Sequence, residues 1–246
     1  MMYGNDLAYV HHAGFSEYAR RSAPEIVRLL TPRRGIPSAI RGGSLIVEFG
    51  CGGGTTARYL TDHGFRVYGV DQSPAMVKLA RLTAPRARFA VGSLATTSIP
   101  RCAAIIALGE VVNYLPGRRS PAGHDRDVFR FFARAARALE PGGLLLFDFM
   151  ESAKQRTFHA STRSGDDWAV VASASADGQI LTRHVTTVRH VAGTMRLSQE
   201  THRVRLYSRH AMTAALRRAG FVATMRRFIG RIRVIRGDLV AFASLD

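Results

Sequence analysis

Two cysteines, two lysines and one tryptophan among 246 residues set the first limits on this chain. Cys51 and Cys102 are too few for a disulfide framework, so a reducing compartment, the cytoplasm, is expected. No apolar run reaches the ~20 residues that cross a bilayer. The N-terminus, Met1 to Asp6, lacks the basic and then apolar regions of a signal peptide. Acids are scarce: 18 Asp and Glu face 35 Lys and Arg, for a formal charge of +17. Between Arg183 and Arg236 the only acid is Glu200. Such a surface attracts anions, nucleic acid included, although a solvated basic face without a dedicated partner is the commoner case. A chain of this length makes one large domain, or one core with an elaboration, and buries a full core without metal or disulfide staples.

Strands and helices alternate through the first part. Leu7 to Leu30 reads as helical, with Ser22-Ala23-Pro24-Glu25 as a capped helix start. Thr31 to Gly43 reads as a loop, and Ser44 to Phe49 as a buried strand. Thr55 to His63 is a helix closed by Gly64, Phe65 to Val70 a strand, and Ser73 to Leu82 a helix capped by Ser73 with Pro74 behind it. Arg88 to Val91 and Ala103 to Leu108 are strands, and Asp125 to Leu139 is a helix. Pro141-Gly142-Gly143 is a turn into a fifth strand, Leu144 to Phe149. This alternation argues for a parallel sheet covered on both faces.

After Met150 the pattern changes. Trp168 to Ser175, Gln179 to His190 and Thr194 to Tyr207 read as an antiparallel meander, with Asp177-Gly178 and Ala192-Gly193 as hairpin turns. Ser208 then caps a helix to Ala219, and Phe221 to Phe228 and Arg233 to Ser244 read as two closing strands.

The informative stretch is Glu48-Phe49-Gly50-Cys51-Gly52-Gly53-Gly54-Thr55, a glycine loop between the first strand and the next helix. Glycines there let a ligand approach the backbone. The dinucleotide fingerprint requires glycine where Thr55 stands, and Glu48 is a poor neighbour for a pyrophosphate but a good one for an ammonium. A cationic, non-phosphorylated nucleoside is favoured. Asp71 ends the next strand about 20 residues beyond the glycines, where a carboxylate can accept both hydroxyls of a ribose.

Val47 to Thr55, Val70 to Met76, Gly92-Ser93-Leu94 and Leu139 to Gly143 together resemble the class I S-adenosylmethionine-dependent methyltransferases, in their small-molecule branch. The resemblance implies an α/β fold with a doubly wound, mostly parallel seven-stranded sheet, and an antiparallel β insertion after the fifth strand. The implied organisation is an N-terminal helical cover over 1–43, a Rossmann-like core over 44–150, an insertion or lid over 151–207, and a helix and two strands over 208–246. S-adenosyl-L-methionine is the implied cofactor. Glu48, Gly50 and Gly52 would hold its methionine part, and Asp71 its ribose. Gln72, Met76, Ser93 and Leu94 would surround the adenine, Leu108 would line the channel near the sulfonium, and Arg20 or Arg21 would meet the carboxylate. The family often has Asp where Ser93 stands, which weakens the expected adenine contact.

Methyl transfer from a sulfonium is an in-line displacement that gains from alignment and exclusion of water, and needs a base only where the acceptor must first lose a proton. The strand-end rule places Glu110, Asn113 and Tyr114 after the fourth strand and Asp148 on the fifth near the transferred methyl. His202 reaches the pocket if the meander forms a lid, and His11, His12, Phe15 and Tyr18 belong to the cover. Acceptor-side candidates are therefore Glu110, Tyr114 and His202. There is no Asn/Asp-Pro-Pro-aromatic signature, no proline-cysteine motif for a covalent cytosine mechanism, and no cluster with metal-ligand spacing. The expected function is methyl transfer to nitrogen or oxygen of a small molecule. The alternatives are an RNA acceptor on the basic C-terminal surface, where Arg203, Arg205 and Tyr207 share a strand face, and a cofactor-binding protein without catalysis.

Overall fold

The computed structural model describes residues 3–31, 40–117, 119–152, 160–235 and 238–245. Most of the loop expected after Thr31 lies outside these residues. Two helices open the chain, α1 (Asn5–Phe15) and α2 (Glu17–Leu30). Alternation follows: β1 (Leu45–Phe49), α3 (Thr55–Asp62), β2 (Arg66–Asp71), α4 (Pro74–Thr83), β3 (Arg88–Val91), β4 (Cys102–Ala107), the short β5 (Tyr114–Leu115), α5 (Pro121–Ala138) and β6 (Leu139–Met150). Then come β7 (Ser161–Ser164), β8 (Trp168–Asp177), β9 (Ile180–Val191), β10 (Thr194–Arg205), α6 (Arg209–Arg218), β11 (Phe221–Arg226), β12 (Phe228–Ile229), β13 (Ile232–Arg233) and β14 (Asp238–Leu245).

The main sheet has seven strands in the order β11-β14-β6-β4-β1-β2-β3. Its pairings are parallel from β6 to β3, while β14 runs antiparallel to both β6 and β11. This is the doubly wound α/β architecture expected. One face packs Phe49, Phe147 and Phe149 against Phe131 and Phe132 of α5 and Met212 and Leu216 of α6. The other packs Ile46, Ile106 and Leu146 against Ile26 and Leu30 of α2 and Leu60 of α3. Burial on both faces explains why the central strands carry continuous apolar runs rather than alternation.

The meander forms a separate five-stranded sheet, β5-β10-β9-β8-β7, whose edges β5 and β7 carry too few residues for a strand signal. Its turns are as expected at Gly178 and at Ala192-Gly193, all with positive φ. Asn113 straps the two sheets together: its side chain accepts from Met150 N at 3.0 Å and donates to Arg205 O at 2.5 Å.

Four local expectations are corrected. Ser22 does not start a helix; it lies inside α2 with its hydroxyl donating to Tyr18 O at 2.6 Å. The buried stripe Ser22, Ala23, Ile26 and Leu30 carries the helix through Pro24, and the break falls at Ser16 instead. α5 starts at Pro121, not Asp125, because Ser120 accepts from Gly123 N. Pro141-Gly142-Gly143 is a bulge within β6, not a turn before it: the register with β4 shifts there and Gly142 takes φ +73°. The closing strands are interrupted by the β12–β13 hairpin, which turns on Gly230 at φ +56°.

Candidate active site

The glycine loop leaves the carboxyl end of β1 as expected, and its conformation requires glycine. Gly50 takes φ +67° and Gly52 φ +51°. A Cβ on Gly50 would also overlap the Val111 side chain. Gly52 N donates to Asp71 Oδ2 at 3.0 Å, and Asp71 Oδ1 accepts from Ser73 N at 2.9 Å. The second acid thus ties the loop to the start of α4 while each of its oxygens keeps a lone pair for a ligand hydroxyl. Ser73 caps α4 by accepting from Met76 N at 3.1 Å.

Two cavities meet over this loop. The smaller, about 130 Å³, is lined by Asp71, Gln72, Met76, Ser93 and Leu94 and shares Gly50, Gly52 and Leu108 with the larger. The larger, about 660 Å³, runs from Glu48 and the loop beneath α1 to the inner face of the second sheet. Glu48 is buried, and its Oε2 has no hydrogen-bond partner among the described residues. Burial pushes its carboxyl up to about 8. A buried carboxylate oxygen without a donor, beside a side-chain-free loop, fits the ammonium of an adenosyl amino acid. Glu48, Gly50 and Gly52 would hold its amino acid part, Asp71 its ribose, and Gln72, Met76, Ser93 and Leu94 its base. Bound by these residues, the cofactor would supply an electrophilic methyl.

Arg20 lines neither cavity. Its side chain, 54% exposed, pairs with Glu17 at 3.4 Å on the outer face of α2. Arg21 does the same at 4.0 Å. The helix turn that aims Tyr18, Ala19 and Ser22 inward points both arginines at solvent. His12 instead meets the loop: its buried Nδ1 has no partner among the described residues and occupies the space a Gly53 side chain would need.

Glu110, Tyr114 and His202 all line the larger cavity, together with His11, Phe15 and Tyr18 from the cover. Asp148 and Asn113 do not. Asp148 is fully buried and saturated, accepting from Gly109 N at 2.9 Å, Glu110 N at 2.7 Å and Tyr18 OH at 2.9 Å. Burial pushes its carboxyl up to about 6. Its effect is on the loop after β4, where Glu110 is held at φ +64°, a conformation costly for a residue with a side chain.

Two residues of the cavity, Arg183 and Tyr3, and Glu200 behind it were not singled out as site residues in the sequence. Arg183 donates to Glu110 Oε2 at 3.1 Å and to Tyr114 OH at 3.2 Å. Tyr3 lines both cavities, bonds Tyr114 through their hydroxyls at 2.9 Å, and accepts at its carbonyl from Ser73 Oγ at 2.6 Å. Glu200 accepts from Tyr3 N and Gly4 N, both at 2.7 Å, and from His202 Nε2 at 2.8 Å. Alternation along β9 alone could have flagged Arg183, which shares its inward parity with Val185 and Thr187.

Residues 47–147 match a family described as a methyltransferase domain. Among curated proteins the chain is similar to a trans-aconitate 2-methyltransferase from Methylobacterium radiotolerans, 28% identical over 141 residues, covering 55% of this chain and 50% of that protein. The chain therefore spans about half the length of that relative. Among solved structures it is similar to the CcbJ methyltransferase from Streptomyces caelestis, with TM-score 0.76 and 20% identity over 100% of this chain and 98% of that one. It is also similar to an S-adenosylmethionine-bound amino pentose methyltransferase from Micromonospora echinaspora, with TM-score 0.72 and 19% identity over 99% of each chain. At such identities the structural likeness establishes the fold. Residues 47–147 are therefore a methyltransferase domain, carried on the fold of the solved S-adenosylmethionine-dependent methyltransferases.

Proposed function

We propose that this protein transfers a methyl group from S-adenosylmethionine to nitrogen or oxygen of a small molecule. The observation that carries the reading is continuity: Glu48 and the glycine loop share one 660 Å³ cavity with Glu110, Tyr114 and His202. A cavity roofed by α1 and the second sheet supports a small acceptor over a nucleic acid. The chain's contribution is alignment and exclusion of water, with Tyr3 and Leu108 at the junction where both cavities meet.

A proton acceptor is available in the same cavity. Glu200 is half-buried, which opposes its ionisation, but the hydrogen bonds from His202, Gly4 N and Tyr3 N outweigh that and hold its carboxyl below the usual range. An ionised carboxylate only accepts, so His202 Nε2 carries the hydrogen of that bond, and in the neutral ring Nδ1 has the lone pair.

Calorimetry with S-adenosylmethionine and S-adenosylhomocysteine tests the reading. Micromolar binding of either is expected, weakened about 10- to 100-fold by Asp71→Ala, because a hydrogen bond to a charged group contributes about 1.5–3 kcal/mol. Absence of binding by both compounds removes the proposal.

A further inference from the structure

The charges inside the larger cavity are arranged around one arginine that is already committed. Arg183, its side chain 25% exposed, donates through Nη2 to Glu110 Oε2 and through Nη1 to Tyr114 OH. Arg163, the other arginine lining the cavity among the described residues, lies on the exposed β7, donates to Gly14 O and packs over the Phe15 ring. Burial pushes His11 down to about 4, so it carries no charge near neutrality. Against these stand Glu110, whose Oε1 has no partner among the described residues, and Glu200 behind His202. Aromatic rings complete the enclosure. The rings of Tyr3 and His202 lie 5.1 Å apart, and the Tyr114 ring stands edge-on to His202 at 5.8 Å.

This pattern receives a cation. An unpartnered carboxylate oxygen and aromatic faces attract an ammonium, whereas an entering carboxylate meets Glu110 and must detach Arg183 from it. The backbone strain at Glu110, maintained by two N–H bonds to Asp148, fixes the position of that side chain. Resting on the methyl-transfer reading above, we propose that the acceptor is an amine, whose ammonium docks on Glu110 Oε1 and gives its proton to Nδ1 of His202. The step is a proton transfer. One N–H bond of the ammonium breaks, its electron pair stays on the amine nitrogen, and the proton forms an N–H bond at Nδ1. The imidazolium so formed lies 2.8 Å from the Glu200 carboxylate, which stabilises it. The freed pair on nitrogen is what a methyl electrophile requires. Glu200 is a positioning residue: it fixes the tautomer of His202, and its bonds to Tyr3 N and Gly4 N hold the chain start over the same cavity.

Two probes of one shape and opposite charge test this, cyclohexylammonium and cyclohexanecarboxylate, titrated by ligand-observed NMR into protein saturated with S-adenosylhomocysteine. Saturable millimolar binding of the ammonium is expected, at least about tenfold tighter than the carboxylate, and lost by about tenfold in Glu110→Gln. Circular dichroism and Tm of that variant verify its fold. Long-range proton–nitrogen correlation of His202 in the unmodified protein is a second, independent measurement, with the hydrogen expected on Nε2. Equal or tighter binding of the carboxylate, no saturable binding of the ammonium, undiminished ammonium binding in a folded Glu110→Gln, or a hydrogen on Nδ1 overturns the proposal. Failure to bind S-adenosylhomocysteine overturns the underlying methyl-transfer reading instead, so the two failures are distinguishable.

Discussion

Binding of the cofactor near neutral pH should release a proton, and Glu48 is its source. Burial pushes this carboxyl up to about 8, with Thr56 hydrogen bonding opposing the shift and Asp71 adding to it. At pH 6.5 a group with that pKa is protonated in about 97% of molecules. Pairing with the cofactor's ammonium requires the carboxylate, so binding must expel that proton. The ligand's own α-amino group, with a pKa of about 7.7–8.0, is already about 95% protonated at pH 6.5 and takes up very little. Net release is therefore about 0.9 proton per site. The affinity should rise about tenfold, or about 1.4 kcal/mol, between pH 6 and pH 7, since the ionised form is tenfold more populated. Calorimetry with S-adenosylhomocysteine in buffers of different ionisation enthalpy measures the proton count directly. Glu48→Gln should bind more weakly, release almost nothing, and lose the pH dependence over this range. A proton count near zero in the unmodified protein, or the same count in Glu48→Gln, refutes the assignment.

Further consequences concern the scaffold. Asp148 is held up at about 6 by burial, so the folded protein keeps a proton there that the unfolded chain, with an ordinary carboxyl near 3.8, gives up. Stability from this group should fall as pH rises from about 4 to 6, and Asp148→Asn should flatten that part of the unfolding profile measured in urea. Asp148→Ala leaves Gly109 N, Glu110 N and Tyr18 OH without their acceptor and should cost about 3 kcal/mol by the same assay. Gly53→Ala overlaps His12 and should cost about 1–3 kcal/mol. If that overlap is the cause, His12→Ala in the same chain recovers most of the loss, and an additive double mutant refutes it. Asp6 joins α1 to the second sheet through Arg189 at 3.3 Å and Arg196 at 2.7 Å, so Asp6→Ala should speed proteolysis of the first fifteen residues at low protease concentration.

The signals legible in the chain are short in range. A serine or aspartate one to three residues from the amide it accepts, as at Ser73, Ser208 and Asp71, is written in adjacent positions. The glycine loop is legible because positive φ at Gly50 and Gly52 is a property of single residues. The apolar runs of β1, β4 and β6 show that both faces are covered, and the order of loop, acid and strand carries the family resemblance. Where local signals mislead, packing overrides them: Ser22 and Pro24 read as a helix start but lie on a buried stripe that continues through them. The end of the cavity at Glu110 and His202 depends on distance in space. Tyr3 meets Glu200 across 197 positions, and Arg183 meets Glu110 across 73. No local period links such pairs. They join only after β10 has paired with β9 and β5, which turns Arg183 and His202 inward above the loop that Asp148 holds. The glycine-loop end is thus set by local backbone chemistry, whereas the end at Glu110 and His202 exists only once two sheets and the first helix close on one another.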